Sequence, residues 1–150
     1  PSLENVSGPI FKIETLYNLP HELRASQANF SKTGGIHAAA LINPKGQCSS
    51  LMEDVGRHNA LDKLIGKELL DKKLPLHQHA VLLSGRGGFE LIQKAHVAGI
   101  PLVIALGAPT TMAVSLAHQM GITLIGFLKN DRLNIYTHPH RIHTSEKEST

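Results

Sequence analysis

The second half of the chain alternates short apolar runs with amphipathic segments, and turns containing glycine or proline separate them. The pattern predicts strands over 79–83, 101–106 and 122–128, and helices over 89–98 and 111–120. Strands that alternate with helices in this way favour a mostly parallel sheet with helices on its faces. An α/β fold is therefore the expectation for this chain.

The first half predicts a hairpin and two further helices. The expected helices cover 20–30 and 55–73, and the expected hairpin strands cover 36–43 and 48–52. Asp54 is suited to cap the second helix, and Lys72 and Lys73 suit its C-terminal end. A last strand is predicted over 133–137, and a polar tail from Pro139 onward. The hairpin adds an antiparallel edge, so the predicted sheet is mixed.

The size of the chain indicates one domain. It has 150 residues, and we assign the domain to 1–144, with 145–150 as a disordered tail. Hydrophobic residues make up 41% and charged residues 18%, which excludes a disordered or fibrous chain. Glycine and proline interrupt the longest uncharged stretch, so no membrane span is predicted. The first residues lack the pattern of a secretory signal, and a cytoplasmic protein is the expectation.

Cysteine, histidine and charge restrict the chemistry further. The one cysteine, Cys48, excludes an internal disulfide and any metal site that needs two cysteines from this chain. The ten histidines do not follow a zinc-binding spacing, so no metal is predicted. Neither Cys48 nor Ser84 has the neighbours of a catalytic nucleophile. The net charge of +3 comes from dispersed basic residues, which fits a small anionic ligand better than nucleic acid.

Two turns that each lead from a predicted strand into a predicted helix have a composition suited to anions. They are Ser84–Gly88 and Gly107–Thr111. In open α/β sheets, ligands bind beyond the carboxyl ends of the strands, where backbone N–H groups attract phosphate. Arg86 and Thr110 would add a guanidinium and a hydroxyl group as donors. The alternative is that the glycines only make tight turns.

A third polar turn, Phe127–Arg132, follows the last long strand. Lys129 and Arg132 could reach a pyrophosphate, and Asp131 could accept hydrogen bonds from the N1 and N2 edge of guanine. The alternative is an ordinary charged hairpin.

The segment Glu53–Asn59 is a polar helix start that could be either a functional site or a solvated surface, and its composition favours a site. For His37 on its predicted strand, a structural role is favoured.

Five segments resemble one protein family in both residues and order. They are Thr33–Ala39, Glu53–Lys63, Ser84–Arg86, Ala108–Thr110 and Gly126–Phe127. Together they are similar to the large domain of FdhD, the formate dehydrogenase accessory sulfurtransferase, over about 11–142. The resemblance implies a three-layer α/β/α sandwich of the cytidine-deaminase-like type, without the zinc ligands of the deaminases.

The resemblance also implies a function. In this family a cysteine desulfurase loads a persulfide onto a CxxC cysteine. The sulfur then passes to molybdenum bis(molybdopterin guanine dinucleotide), before this cofactor enters formate dehydrogenase. Family members are typically cytoplasmic homodimers that hold the cofactor by its guanine nucleotide ends. The family's cofactor-binding stretch matches Phe127, Leu128, Lys129, Asn130, Asp131 and Arg132.

The chain departs from the family pattern in three places. The CxxC is expected just before Pro1 and is not in this sequence, while Gly88 and Gly107 each replace a common serine. Whether the chain acts in an enzyme therefore stays open, and no catalytic residue is predicted within it. The first hypothesis is a sulfur-transfer accessory domain. The second is a cofactor-binding and dimerisation module without chemistry of its own, and the missing zinc signature counts against a third, a deaminase-like hydrolase.

Overall fold

The computed structural model describes residues 1–30, 37–71 and 74–144, and side chains 28–30 are not described. Its helices and strands, in chain order, are β1 Phe11–Lys12, α1 Ile13–Tyr17, α2 Leu19–Phe30, β2 His37–Ile42, β3 Cys48–Asp54, α3 Arg57–Leu70, β4 Ala80–Leu83, α4 Phe89–Val97, β5 Leu102–Ala105, α5 Thr111–Met120, β6 Thr123–Gly126, β7 Asn134–Thr137, a 3₁₀ helix Pro139–Arg141 and β8 Ile142–His143. The predicted elements are present, with ends that differ by a few residues.

A six-stranded mixed sheet, in the order β3-β2-β4-β5-β6-β7, forms the centre of the fold. The parallel pairings join β4, β5 and β6, and antiparallel pairings add β2 and β3 on one side and β7 on the other. Because β2 is antiparallel to both β3 and β4, strands β3, β4, β5 and β6 all point the same way. Their carboxyl ends therefore meet at one edge of the sheet, which we call the carboxyl edge.

Two apolar cores, one on each face of the sheet, confirm the α/β class. On one face, Val81 and Leu83 of β4 pack with apolar residues of α3, α4 and α5. On the other face, Ala80 and Leu82 pack with Leu16 of α1 and residues of α2. This alternation along β4 follows from the two-residue period of a strand. Helices on both faces of the sheet make the three layers that the resemblance implied.

The ends of α3 correct one local prediction. The N-cap is Gly56, not Asp54, and no side chain caps this helix. Asp54 instead ends β3, and its carboxylate accepts the Gly56 N–H at 3.0 Å. The helix ends at Leu70, while Lys72 and Lys73 lie outside the described residues.

The predicted polar tail from Pro139 is wrong for residues 139–143. β8 pairs in parallel with β1, and Arg141 just before it is 0% exposed. The Arg141 guanidinium donates to backbone carbonyls and one hydroxyl: Leu3, Glu4, Val6, Pro101, Gly121 and the Oγ1 of Thr123. One buried side chain thus joins the N-terminal segment to the central sheet. The predicted disordered tail, 145–150, lies outside the described residues.

No helix in the described ranges combines the length and the apolar composition that a membrane span requires.

Candidate functional site

Three turns at the carboxyl edge are joined to one another by backbone hydrogen bonds. Gly107 N–H donates to the Gly85 carbonyl at 3.1 Å, and Gly87 N–H donates to the Ala108 carbonyl at 3.3 Å. Phe127 N–H donates to the Gly107 carbonyl at 3.1 Å. The structure therefore brings the three sequence-predicted turns side by side.

Two glycines lie where neighbouring turns approach each other closely. A Cβ at Gly107 would lie 3.1 Å from the carbonyl carbon and oxygen of Gly85, and a Cβ at Gly126 would lie 2.6 Å from Cδ of Pro109. The turn after β5 therefore lies close to the turn after β4 at Gly107. The family commonly has serine at this position. At Gly88, a Cβ would lie 3.9 Å from a guanidinium nitrogen of Arg57, which leaves room for the family's serine.

The turn from Phe127 to Arg132 has an anchored start and an exposed tip. Phe127 adopts a left-handed backbone with φ 54°, which a bulky residue rarely does. Leu128 is 2% exposed, and its N–H donates to the Ala105 carbonyl at 3.3 Å. Lys129 N–H donates to the Arg132 carbonyl at 2.8 Å, which closes the tip. The side chains of the tip are directed to solvent while the buried leucine holds their position.

An open cavity of about 520 Å³ lies between this turn and α2. Its lining consists of Pro20, Arg24, Leu106, Leu128, Lys129, Asn130, Asp131 and Arg132. The volume lies within the ~300–1,000 Å³ typical of small-molecule sites. The three positive charges of Arg24, Lys129 and Arg132 give the cavity an anion-binding character. We call this the basic cavity.

Arg24 is the charged lining residue that sequence reasoning missed, besides the apolar Pro20 and Leu106. It lies on α2, about a hundred residues before the turn that it faces, and nothing in the spacing of the helix distinguishes it from a solvated surface arginine. Only the packing of α2 on the sheet, through buried Leu19 and Leu23, places it at the cavity. No local sequence signal could have found it.

Two further recesses flank the turn. One, of about 380 Å³, is lined by Glu14, Tyr17, Asn18, His21, Arg24 and Asn130. Because Arg24 and Asn130 also line the basic cavity, the two spaces adjoin. The other, of about 320 Å³, is lined by Phe127, Lys129, Arg132, Leu133 and Asn134. Lys129 and Arg132 thus face space on both sides of the turn.

The structure places Arg86 and Thr110 at the same edge but outside the lining of these three recesses. Arg86 is exposed on the turn before α4. Thr110 caps α5, since its Oγ1 accepts the Ala113 N–H at 3.1 Å. Backbone hydrogen bonds join the turns of these two residues to each other and to the turn of Phe127. The part of both residues in ligand binding stays a prediction.

The polar block from Glu53 to Asn59 forms a local network at the end of β3. Lys63 Nζ lies 2.7 Å from the Asp54 carboxylate. Hydrogen bonding from Lys63, followed by the Gly56 N–H, lowers the pKa of Asp54 to about 2. This network gives Asp54 a structural role at the strand-to-helix corner. Beside this network, His58 Nδ1 lies 3.8 Å from the Glu90 carboxylate at the start of α4.

Cys48 lies at the start of β3 and therefore at the opposite edge of the sheet from the basic cavity. Its thiol donates to the Ser50 carbonyl, with a sulfur–oxygen distance of 3.4 Å. Burial raises the pKa of Cys48 above its ordinary value of 9.0. The thiol is therefore protonated near neutral pH, which makes it a weak nucleophile.

Within residues 1–30, 37–71 and 74–144, no group of three or more His, Cys, Asp or Glu side chains could hold a metal ion.

Comparison with known proteins identifies relatives over most of this chain. Residues 2–143 match the FdhD/NarQ family. The chain is 46% identical over 132 residues to the sulfur carrier protein FdhD of Saccharolobus solfataricus, which covers 88% of this chain and 51% of that protein. It is 52% identical over 128 residues to that of Mycolicibacterium paratuberculosis, with 85% and 47% covered. The chain thus spans about half the length of these relatives.

Solved structures agree with the fold. A formate dehydrogenase accessory protein from Desulfotalea psychrophila superposes with a TM-score of 0.76 at 29% identity, covering 91% of this chain and 62% of that one. Guanine deaminase from Nitrosomonas europaea superposes with a TM-score of 0.59 at 13% identity, covering 76% and 77%. The second likeness concerns the fold alone, and it confirms the deaminase-like architecture that the resemblance implied.

Proposed function

The chain belongs to the FdhD/NarQ family, and we propose that it is the cofactor-binding part of a sulfur carrier protein that serves formate dehydrogenase. The cargo in this proposal is molybdenum bis(molybdopterin guanine dinucleotide). The whole protein passes sulfur from a cysteine desulfurase to this cargo, before the cofactor enters formate dehydrogenase. The proposed setting is the cytoplasm, and the proposed assembly is a homodimer.

The basic cavity is the observation that carries the proposal. Arg24, Lys129 and Arg132 surround a space large enough for part of a nucleotide. A guanidinium or ammonium group forms short, charge-assisted hydrogen bonds with phosphate oxygens. Asp131 in the same lining supplies carboxylate oxygens, which suit the N1 and N2 donors of guanine. The lining therefore matches the two chemical ends of a guanosine diphosphate group.

This chain's own residues bind and orient the cargo in the proposal, and they do not carry the sulfur. Cys48 is a protonated, half-buried thiol at the far edge of the sheet. The persulfide belongs to the CxxC that the family resemblance implies, and the 150 residues of this chain contain a single cysteine. Arg86 and Thr110 extend the proposed phosphate-binding edge beside the basic cavity.

The position of Cys48 also supports a second candidate function. A chain that binds the cofactor and dimerises, without sulfur-transfer chemistry of its own, would act as a cofactor chaperone. The two candidates share the nucleotide site and differ in the fate of sulfur. A persulfide on the intact protein that moves to the bound cofactor would decide for the sulfur carrier, and cofactor delivery without such a persulfide would decide for the chaperone.

Calorimetric titration with GDP tests the site that both candidates need. Wild type is expected to bind GDP more tightly than ADP. Lys129→Ala and Arg132→Ala are each expected to weaken GDP binding by about 1.5–3 kcal/mol, the contribution of a hydrogen bond to a charged group. Lys45→Ala is the matched control, since Lys45 is an exposed cation on the β2–β3 turn, remote from the cavity lining. Equal GDP affinity in all four proteins would refute the proposed site.

A further inference from the structure

The recess beside the basic cavity is the feature that the proposed function does not use. Arg24 and Asn130 line both spaces, so they form the boundary between them. Beyond that boundary the lining changes in character: α1 contributes Tyr17, and the start of α2 contributes His21. A cationic space thus opens directly into a space with two planar rings.

Planar rings and a polar rim are suited to a flat heterocycle. Aromatic side chains bind bases through their faces, and this stacking tolerates different heterocycles because each has a π-face. Tyr17 is half-buried and packs against the apolar core under α1. Asn18 and His21 are exposed at the rim and offer hydrogen-bonding groups to the edges of a ring. The recess of about 380 Å³ is large enough for a fused bicyclic ring.

The order of these spaces matches a ligand with a pyrophosphate between two heterocycles. In the proposed site, Asp131 takes the guanine and the cations take the phosphates. A dinucleotide-type ligand continues past its phosphates to a second ring, and the adjoining recess is the space that lies beyond Arg24.

We propose that the recess lined by Tyr17, Asn18 and His21 is a second-ring subsite, which takes the pterin half of the cargo while Arg24 contacts the pyrophosphate at the boundary. This inference rests on the proposed function, because it needs the phosphates in the basic cavity. It assigns Tyr17 to stacking and Arg24 to phosphate binding, neither of which the sequence motifs identify.

The test compares GDP with diguanosine pyrophosphate, which carries a second guanine across the same pyrophosphate. Guanine and pterin share the 2-amino-4-oxopyrimidine ring, so the second guanine is a suitable probe for this recess. Diguanosine pyrophosphate is expected to bind at least fivefold tighter than GDP, because its second base stacks on an aromatic side chain. Tyr17→Leu should remove this gain and leave GDP affinity unchanged.

Four further variants keep the test decisive. Tyr17→Phe retains the ring and should retain the gain, and His21→Ala, at an exposed position, should reduce it without affecting folding. Tyr136→Leu changes the only other tyrosine, which lies on β7 outside the recess, and should have no effect. Arg24→Ala should weaken both ligands by a similar factor.

Tyrosine fluorescence provides a second readout. The chain has no tryptophan and two tyrosines, so Tyr17 is the sole tyrosine in a Tyr136→Phe protein. Diguanosine pyrophosphate should quench its emission, and GDP should not. If GDP binds but diguanosine pyrophosphate shows neither the gain nor the quenching, the second-ring subsite is wrong and the proposed function stands. If neither ligand binds, both proposals are wrong.

Discussion

The backbone N–H of Phe127 donates to the carbonyl oxygen of Gly107 across 3.1 Å, and this bond joins the turn after β6 to the turn after β5. Phe127 holds a left-handed backbone with φ 54° at this point. Such a conformation costs of order 1–3 kcal/mol for a residue other than glycine and persists only where the surroundings determine it. Here the neighbouring turn and the buried Leu128 do so, and they fix the position from which Lys129–Arg132 line the basic cavity.

Loss of Arg141 is expected to destabilise the fold severely. Arg141→Met leaves buried carbonyl oxygens in the N-terminal segment and the central sheet without a donor. We expect a loss of about 3–5 kcal/mol in the free energy of unfolding, because several buried oxygen atoms lose their hydrogen-bond donor at once. Urea unfolding followed by circular dichroism measures it. The exposed control Lys45→Met should change stability by no more than about 0.5 kcal/mol, and an Arg141→Met protein as stable as that control would contradict the structural role.

The Asp54–Lys63 pair should make stability dependent on acid pH. The pKa of Asp54 is about 2 in the folded protein against an ordinary value of 3.8, so the unfolded chain binds more protons between these values. The pair's stabilisation is therefore complete above about pH 4 and is lost as the pH falls towards about 2. Urea midpoints measured across this range should fall less steeply in Asp54→Asn and in Lys63→Met than in wild type. Parallel curves for all three proteins would show that the pair does not contribute.

The central fold could be predicted from the sequence because its signals are local. The apolar runs of β4, β5 and β6 and the glycine turns after them mark their own ends, and α5 begins and ends at the predicted Thr111 and Met120. The N-cap of α3 could not be predicted in this way. Asp54 has a side chain suited to cap a helix. Pairing of β3 with β2 extends the strand to Asp54, however, so the residue ends a strand instead of capping α3.

The C-terminal segment and the cavity could not be predicted from the sequence, because both depend on contacts between residues far apart in the chain. The polarity of the segment from Pro139 onward is typical of a tail. Arg141 is nevertheless buried, and the Leu3 and Val6 carbonyls, over a hundred residues earlier in the chain, accept hydrogen bonds from it. Arg24 likewise lines the same cavity as Lys129 and Arg132 only because α2 packs on the sheet. The turn that supplies most of the lining was predicted as a site, whereas α2 was predicted as a helix without any part in the site.

Cys48 should react slowly with thiol reagents. Burial raises its pKa above 9.0, so the reactive thiolate is scarce at neutral pH and increases only as the pH rises beyond that value. We expect slower alkylation at pH 7 than for free cysteine, and no stoichiometric persulfide when the chain is incubated with a cysteine desulfurase and labelled cysteine. Cys48→Ser should bind GDP as wild type does. Stoichiometric label on Cys48 would show that this chain carries sulfur itself.

Arg86 tests how far the phosphate-binding edge extends. It lies outside the lining of the basic cavity, on a turn joined by hydrogen bonds to the turn of Gly107. If its exposed guanidinium contacts a phosphate, Arg86→Ala should weaken GDP binding by roughly 1.5–3 kcal/mol. Calorimetry on wild type and variant measures the difference. Equal affinities would limit the site to the basic cavity and remove Arg86 from it.

Asp131 is expected to select guanine over adenine. Its carboxylate lines the basic cavity between Lys129 and Arg132 and can accept from both N1–H and the N2 amine of guanine. Adenine has an acceptor at N1 and no N2 amine, so it cannot form this pair of hydrogen bonds with the carboxylate. Asp131→Asn keeps the size of the side chain and replaces one acceptor oxygen with a donor. We expect GDP affinity to fall about tenfold, which corresponds to ~1.4 kcal/mol, while ADP affinity stays low and little changed.

The competing explanation is that Asp131 only balances charge on an exposed hairpin. Removing its negative charge would then strengthen the binding of GDP, ADP and pyrophosphate alike, because the nearby cations would lose a competitor for phosphate. The two explanations therefore predict opposite changes for GDP, and unchanged circular dichroism would show that both proteins are folded. In the intact protein, a base-reading Asp131 also predicts reduced formate dehydrogenase maturation in Asp131→Asn. If GDP binding and maturation both survive the substitution, the turn acts as an electrostatic anchor through Lys129 and Arg132.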